Sequence, residues 1–114
     1  MTLDLIHYAH LGDAVWELFI REITVYETQK ANDLHKKTIA LVNGEFQTLL
    51  LEKIEPLLTE DEKELARRGR NLHCGRSNKP SHRTSTAFEV IIGYLHINNQ
   101  TRLQELLDSI KNLL

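Results

Sequence analysis

A single cysteine, two prolines and no long apolar run set the first limits on this 114-residue chain. With Cys74 alone, no internal disulfide can form and no cysteine-rich zinc centre can be built, which suits a reducing compartment. No stretch reaches the roughly 18 consecutive apolar residues of a membrane span. The opening Met1-Thr-Leu-Asp4 lacks the basic start and apolar core of a secretory signal. These absences point to the cytoplasm, or to a plastid stroma after removal of a transit peptide, with no membrane partner. Strand-like alternation never persists beyond a few residues, and neither an internal repeat nor a low-complexity segment occurs. The expectation is one all-α domain over residues 1–114, long enough for one core and too short for two.

The charge is unevenly distributed. A net −2 looks wrong for a nucleic-acid binder, but residues 63–83 hold seven basic side chains against one acid. That segment is +6 and the remainder −8. A local excess of this size is either a solvated loop or a surface for an anionic partner.

The chain is organised around Tyr8-Ala-His-Leu-Gly-Asp-Ala-Val-Trp-Glu17. Apolar residues at helical spacing predict a helix from about Leu3 to Thr24, its apolar face formed by Ile6, Leu11, Val15, Leu18 and Phe19. Gly12 and Asp13 interrupt that run. Glycine inside a helix costs up to about 1 kcal/mol relative to alanine, so a close backbone approach is expected there. Asp13 either faces water or holds a hard cation, for which oxygen ligands are appropriate. His7 and His10 precede it at spacings of three, on one face, as surface residues or as a metal cluster.

Further along, Asn32 and Asp33 are good starters for a helix over Leu34–Val42, and Asn43-Gly44 reads as a C-cap or bend. The next helix should run through Phe46, Leu49, Leu50 and Ile54 and break at Pro56. Thr59-Glu-Asp-Glu62 reads as a capping box opening a helix that ends near Arg68-Gly69. Residues 70–84 are expected to be loop, with Thr84 or Ser85 capping a helix that carries Ala87, Phe88, Val90, Ile91, Tyr94 and Leu95. That helix is apolar on nearly every side, so it should be central. Its one acid, Glu89, needs a partner or a metal if buried. Asn98-Asn99 turns the chain, and Thr101-x-x-Gln104 reads as a capping box for a last amphipathic helix to Leu114.

Leu11-Gly-Asp-Ala-Val15 and Thr86-Ala-Phe-Glu-Val-Ile-Ile-Gly93 resemble the two signature segments of the ribonuclease III catalytic domain. Asn32-Asp-Leu-His-Lys-Lys37 and Arg67-Arg-Gly-Arg-Asn71 narrow the resemblance to Mini-ribonuclease III, the short bacterial and plastid branch without a separate double-stranded-RNA-binding domain. The resemblance spans nearly the whole chain. It implies an all-helical homodimer with a valley for double-stranded RNA, one metal site per protomer, and Asp13 and Glu89 as the catalytic, metal-binding carboxylates. The implied cofactor is Mg²⁺, with Mn²⁺ as a substitute, and the implied reaction is phosphodiester hydrolysis to 5′-phosphate and 3′-hydroxyl ends. The implied substrate is structured RNA, most often precursor large-subunit (23S) ribosomal RNA, in some cases presented by a ribosomal protein.

Full-length ribonuclease III carries further acids where this chain has Ile6, Ala9 and Thr86. The Mini branch generally lacks them too, so two ligands are assigned, with Glu17, His10 and Thr86 as candidates for an outer-shell role. Against A-form RNA, recognised mainly through phosphates, 2′-hydroxyls and shape, the candidate contacts are Arg67, Arg68, Arg70, Asn71, Lys79 and Arg83, with Lys36 and Lys37 weaker. Trp16, Phe19 and Ile20 wrap the first helix more widely than one core needs, which suggests that part of this face lies at a twofold interface. Two rival readings stand beside the nuclease: a catalytically inactive RNA- or ribosome-binding dimer, and a purely helical dimer. Retention of both Asp13 and Glu89 disfavours the first, and the +6 segment disfavours the second.

Overall fold

The computed structural model describes residues 3–72 and 80–114, and all their regular structure is helical. The elements are α1 (Leu5–Thr24), α2 (Ala31–Val42), α3 (Gly44–Ile54), a 3₁₀ turn (Glu55–Leu57), α4 (Glu60–Arg70), α5 (Pro80–Asn98) and α6 (Gln100–Lys111). The all-α expectation holds.

Helix α5 is the axis of the fold. It packs against α1, α3, α4 and α6, and buries Ala87, Phe88, Val90, Ile91, Ile92 and Leu95. An apolar surface on every side leaves a helix stable only when surrounded. Trp16 and Phe88 join α1 to α5 through an edge-on ring contact at 4.9 Å, and both are shielded from water. Burying side chains of this size stabilises the fold by roughly 1.5–3 kcal/mol each. The indole Nε1 of Trp16 donates to Leu41 O at 2.9 Å, so the same side chain holds α2 through a last-turn carbonyl that has no helical partner. Thr24 and Thr38 close the far end of α1 and α2 with a buried hydroxyl pair at 3.1 Å.

The buried stripe of α1 is rotated from the expected one. Gly12, Trp16, Ile20 and Thr24 face inward, whereas Ile6 and Leu18 are 49% and 58% exposed. The close approach at Gly12 fixes the rotation, and the residues one, two and three turns on follow it into the core. Trp16 and Ile20 are therefore core residues of the protomer, and the twofold face suggested for them is not available. Helix α2 begins before Asn32 and Asp33, at Ala31 with Lys30 as cap, leaving Asp33 in the first turn where the helix dipole favours an acid. Asn43 serves both neighbours: its side chain accepts from Phe46 N at 2.9 Å and donates to Ile39 O and Ala40 O.

The capping box at Thr59 forms as expected, with Thr59 N donating to Glu62 at 3.0 Å and Glu62 N donating to Thr59 Oγ1 at 3.1 Å. Gly69 does not end α4. It is buried within the helix, and a Cβ there would lie 2.8 Å from Ala87 Cα. Helix α5 starts at Pro80 rather than at Thr84 or Ser85, so residues 80–84 of the expected loop are helical. A proline suits a first helical position, where its missing N–H would have had no partner. Asn99, not Thr101, caps α6 by accepting from Arg102 N at 3.1 Å, and Gln104 bonds forward to Asp108.

Candidate active site

The site is set by two glycines on different helices. A Cβ on Gly12 would sit 1.8 Å from Glu89 O, and one on Gly93 would sit 1.9 Å from Tyr8 O. The backbones of α1 and α5 therefore touch, a distance that only hydrogen side chains allow on both sides. Tyr8 and Tyr94 flank the crossing edge-on at 5.3 Å, and Trp16 and Phe88 flank it a turn further along α1. Asp13 follows Gly12, and Glu89 precedes Gly93 by one turn.

This crossing sets the two carboxyls beside each other, near enough for Asp13 to act on Glu89 through charge and hydrogen bonding. Asp13 lies exposed at the surface, while Glu89 is half-buried. Burial, then the hydrogen bond and negative charge of Asp13, push the Glu89 carboxyl up to about 8, and a hydrogen bond from Gln47 opposes this. Two acids that share a site cannot both ionise freely without a counter-charge. At neutral pH the pair retains a proton, and a divalent cation is the natural replacement for it. Two carboxylates with room for water and substrate phosphate are also the donor set that Mg²⁺ commonly takes. The residues thus fit a hard divalent cation, which Asp13 and Glu89 would hold.

Among the described residues no three His, Cys, Asp or Glu side chains converge as a metal cluster. The His7–His10–Asp13 cluster does not form: His7 Nδ1 instead accepts from Asp4 N at 2.9 Å, helping to cap α1. His10 is exposed. Glu17 is engaged by Arg21 at 3.2 Å. Thr86, one turn before Glu89, is buried and donates to His82 O at 2.9 Å.

The basic residues are spread over three helices. Arg67 and Arg68 are exposed near the end of α4, Arg70 is half-buried, and Asn71 is an exposed C-cap. Arg67 binds Glu64 through Nε at 2.9 Å. Arg83 is half-buried near the start of α5, and Lys36 is exposed on α2. Lys37 bonds Glu27 at 3.1 Å. Lys79 and Cys74 lie outside the described residues. The Glu62 carboxylate is taken by Arg102 of α6 through two contacts of 2.8 Å.

Sequence reasoning passed over Gln47. It stands on the buried stripe of α3 with Leu50, Leu51 and Ile54, and a lone amide at that spacing was the available signal.

Residues 7–100 match the family model of the ribonuclease III domain. The chain belongs to the ribonuclease III family. Its relatives include Mini-ribonuclease 3 of Synechocystis sp., 36% identical over 109 residues that cover 93% of this chain and 76% of the relative. Mini-ribonuclease 3 of Clostridium tetani is 38% identical over 112 residues, covering 92% and 74%. The crystal structure of protein FN1578 from Fusobacterium nucleatum superposes with a TM-score of 0.82 at 30% identity, over 97% of this chain and 94% of that one. The resemblance to the Mini branch is thereby shown, and with it an endoribonuclease family whose members act on double-stranded RNA, generally with a divalent metal. Asp13, Gln47 and Glu89 all fall within the matched residues.

Proposed function

We propose that this protein is a Mg²⁺-dependent endoribonuclease that hydrolyses phosphodiesters in double-stranded or structured RNA, acting as a homodimer in the cytoplasm. The observation that carries the reading is the contact between Asp13 and Glu89 at the glycine crossing of α1 and α5. A binding-only protein gains nothing from two acids set where an anionic backbone must approach.

Asp13 and Glu89 would hold the cation through their carboxylate oxygens, the positive charge offsetting the repulsion between the two acids. Mg²⁺, when bound, lowers the pKa of a coordinated water, polarises the phosphoryl oxygen and neutralises developing charge. Water adds across the bond between phosphorus and the 3′ oxygen. Its oxygen stays on phosphorus as the new 5′-phosphate, and a proton ends on the departing 3′-hydroxyl. The touching backbones keep the two carboxylates from drifting apart, which matters because a misplacement of about 1 Å can cost on the order of 10²-fold in rate.

Arg67, Arg68, Arg70, Asn71 and Arg83 supply backbone contacts, with Lys36 and Lys37 at the margin, so duplex affinity should fall steeply with salt. Precursor large-subunit ribosomal RNA is the proposed substrate, presented by a ribosomal protein.

Cleavage of a long RNA duplex with and without Mg²⁺, beside Asp13→Asn and Glu89→Gln, tests the reading. Metal-dependent cutting that disappears in both variants while duplex binding survives is expected. Binding without cutting by the unmutated protein, on duplex and on precursor ribosomal RNA, would overturn it in favour of an inactive RNA-binding module.

A further inference from the structure

Gln47 is 2% exposed, the only amide side chain buried in the described core. A buried amide is costly unless its polar atoms are paired, so its partners report what it is for. Its Nε2 donates to Val42 O at 3.3 Å, one of the last-turn carbonyls of α2 that lacks a helical partner. The same side chain lies beside the Glu89 carboxyl, near enough to favour its charged form through hydrogen bonding. The register that permits this is visible one turn earlier, where Gly44 of α3 lies against Ser85 of α5 at a would-be Cβ distance of 3.3 Å. Helices α3 and α5 thus advance together from Gly44 and Ser85 to Gln47 and Glu89.

We infer that Gln47 is a positioning residue: its amide, fixed by the end of α2, holds the Glu89 carboxylate in the orientation that receives the cation opposite Asp13. The inference rests on the nuclease reading and deepens it. Glutamine suits the task for a chemical reason. An amide offers donors to both Val42 O and Glu89, whereas a carboxylate at this position would repel Glu89 and an apolar residue would leave it unrestrained. A neutral donor also steadies an anion without competing for the cation. Mg²⁺ demands near-octahedral geometry, so the aim of each carboxylate oxygen is part of its affinity.

The experiment uses the full chain and Gln47→Met, a substitution of similar volume that keeps the core filled. Mn²⁺ binding without RNA is measured by calorimetry, duplex binding in chelator by fluorescence anisotropy, and the Mg²⁺ concentration giving half-maximal cleavage by gel assay. Loss of an outer-shell hydrogen bond typically costs about 10–100-fold in metal affinity. The expected result is a shift of that size in Mn²⁺ affinity and in the Mg²⁺ midpoint, with unchanged duplex affinity and a native circular dichroism spectrum. A purely structural role would not move the metal midpoint in a folded variant. In the unmutated protein, the Gln47 side-chain amide signals are expected to shift on adding Mg²⁺ and to stay still in Glu89→Gln, a readout that holds even if Gln47→Met fails to fold. Unchanged Mn²⁺ affinity in folded Gln47→Met, or amide signals insensitive to Mg²⁺, would overturn the inference while the nuclease reading stood. If the unmutated protein neither binds Mn²⁺ nor cuts duplex, the reading beneath it fails instead.

Discussion

Adding one methyl group at Gly93 is expected to damage both stability and cleavage. The new Cβ would lie 1.9 Å from Tyr8 O and 2.9 Å from Gly12 N, against ordinary contact beginning near 3.4 Å. Relief requires α1 and α5 to separate by about 1.5 Å, because the atoms in the way belong to a helix backbone and cannot rotate aside. Overpacking a core costs typically 1–3 kcal/mol, and a rigid obstacle belongs at the upper end. Replacing glycine by alanine inside a helix returns up to about 1 kcal/mol through helix propensity. The net is a loss of about 2 kcal/mol, which lowers Tm by roughly 8 °C in a domain of this size. Separation also parts Asp13 from Glu89, so single-turnover cleavage of a duplex should fall by on the order of 10²-fold. Circular dichroism melts and a gel assay on Gly93→Ala measure both quantities. Gly44→Ala serves as the control, since the atom it meets is a serine hydroxyl at 3.3 Å that can give way. A Gly93→Ala protein with unchanged Tm and wild-type cleavage would refute the backbone contact and the site built on it.

Three further outcomes follow from the same geometry. Between the ordinary carboxylate value of 4.5 and about 8, folded Glu89 keeps a proton that the unfolded chain has released, so stability of the metal-free protein falls as pH rises through that window. Denaturant melts at pH 5.5 and 8.5 should show this fall, and Glu89→Gln should abolish most of it. Arg102→Met leaves the buried Glu62 carboxylate with its Thr59 contact but without its cation. A loss of about 2–4 kcal/mol is expected in urea unfolding, from the cost of an uncompensated buried charge discounted for the partial exposure of Arg102. Burial pushes Glu62 up, but hydrogen bonds from Arg102 and Thr59 outweigh it and hold the carboxyl below its usual range, so this contribution disappears only in acid. Arg68→Ala should weaken duplex binding and reduce the slope of log K against log salt by about 1, and an unchanged slope would remove Arg68 from the phosphate contacts.

The acid pair was legible in the chain because its residue types and flanking signatures are local. Gly12 announced a close approach by being costly where it stands, and Glu89 announced a need by being an acid in an apolar helix. The capping box at Thr59 and Glu62 was legible for the same reason, since both halves lie within one turn. Elements whose definition depends on distant partners were not. The buried stripe of α1 was misjudged because several apolar rows compete on that helix, and only the contact with α5 chooses among them. The start of α5 was placed late because proline and small polar residues read as loop until a core is present to hold the helix. Arg102 gave no local sign of its bond to Glu62, and Gln47 looked like one polar residue among many on α3.

By itself, the sequence determined the helical class and the family, and it singled out the basic segment and the two candidate carboxylates, all of which rest on residue type and short spacing. Tertiary structure alone decided that Gly12 faces Gly93, that Asp13 and Glu89 therefore touch, and that Gln47 reaches the second of them. A helix period tells which residues share a face, but it carries no record of which other helix that face will meet. That choice belongs to packing, where the backbone contact at two glycines, remote in the chain, brings two ordinary acids into one site.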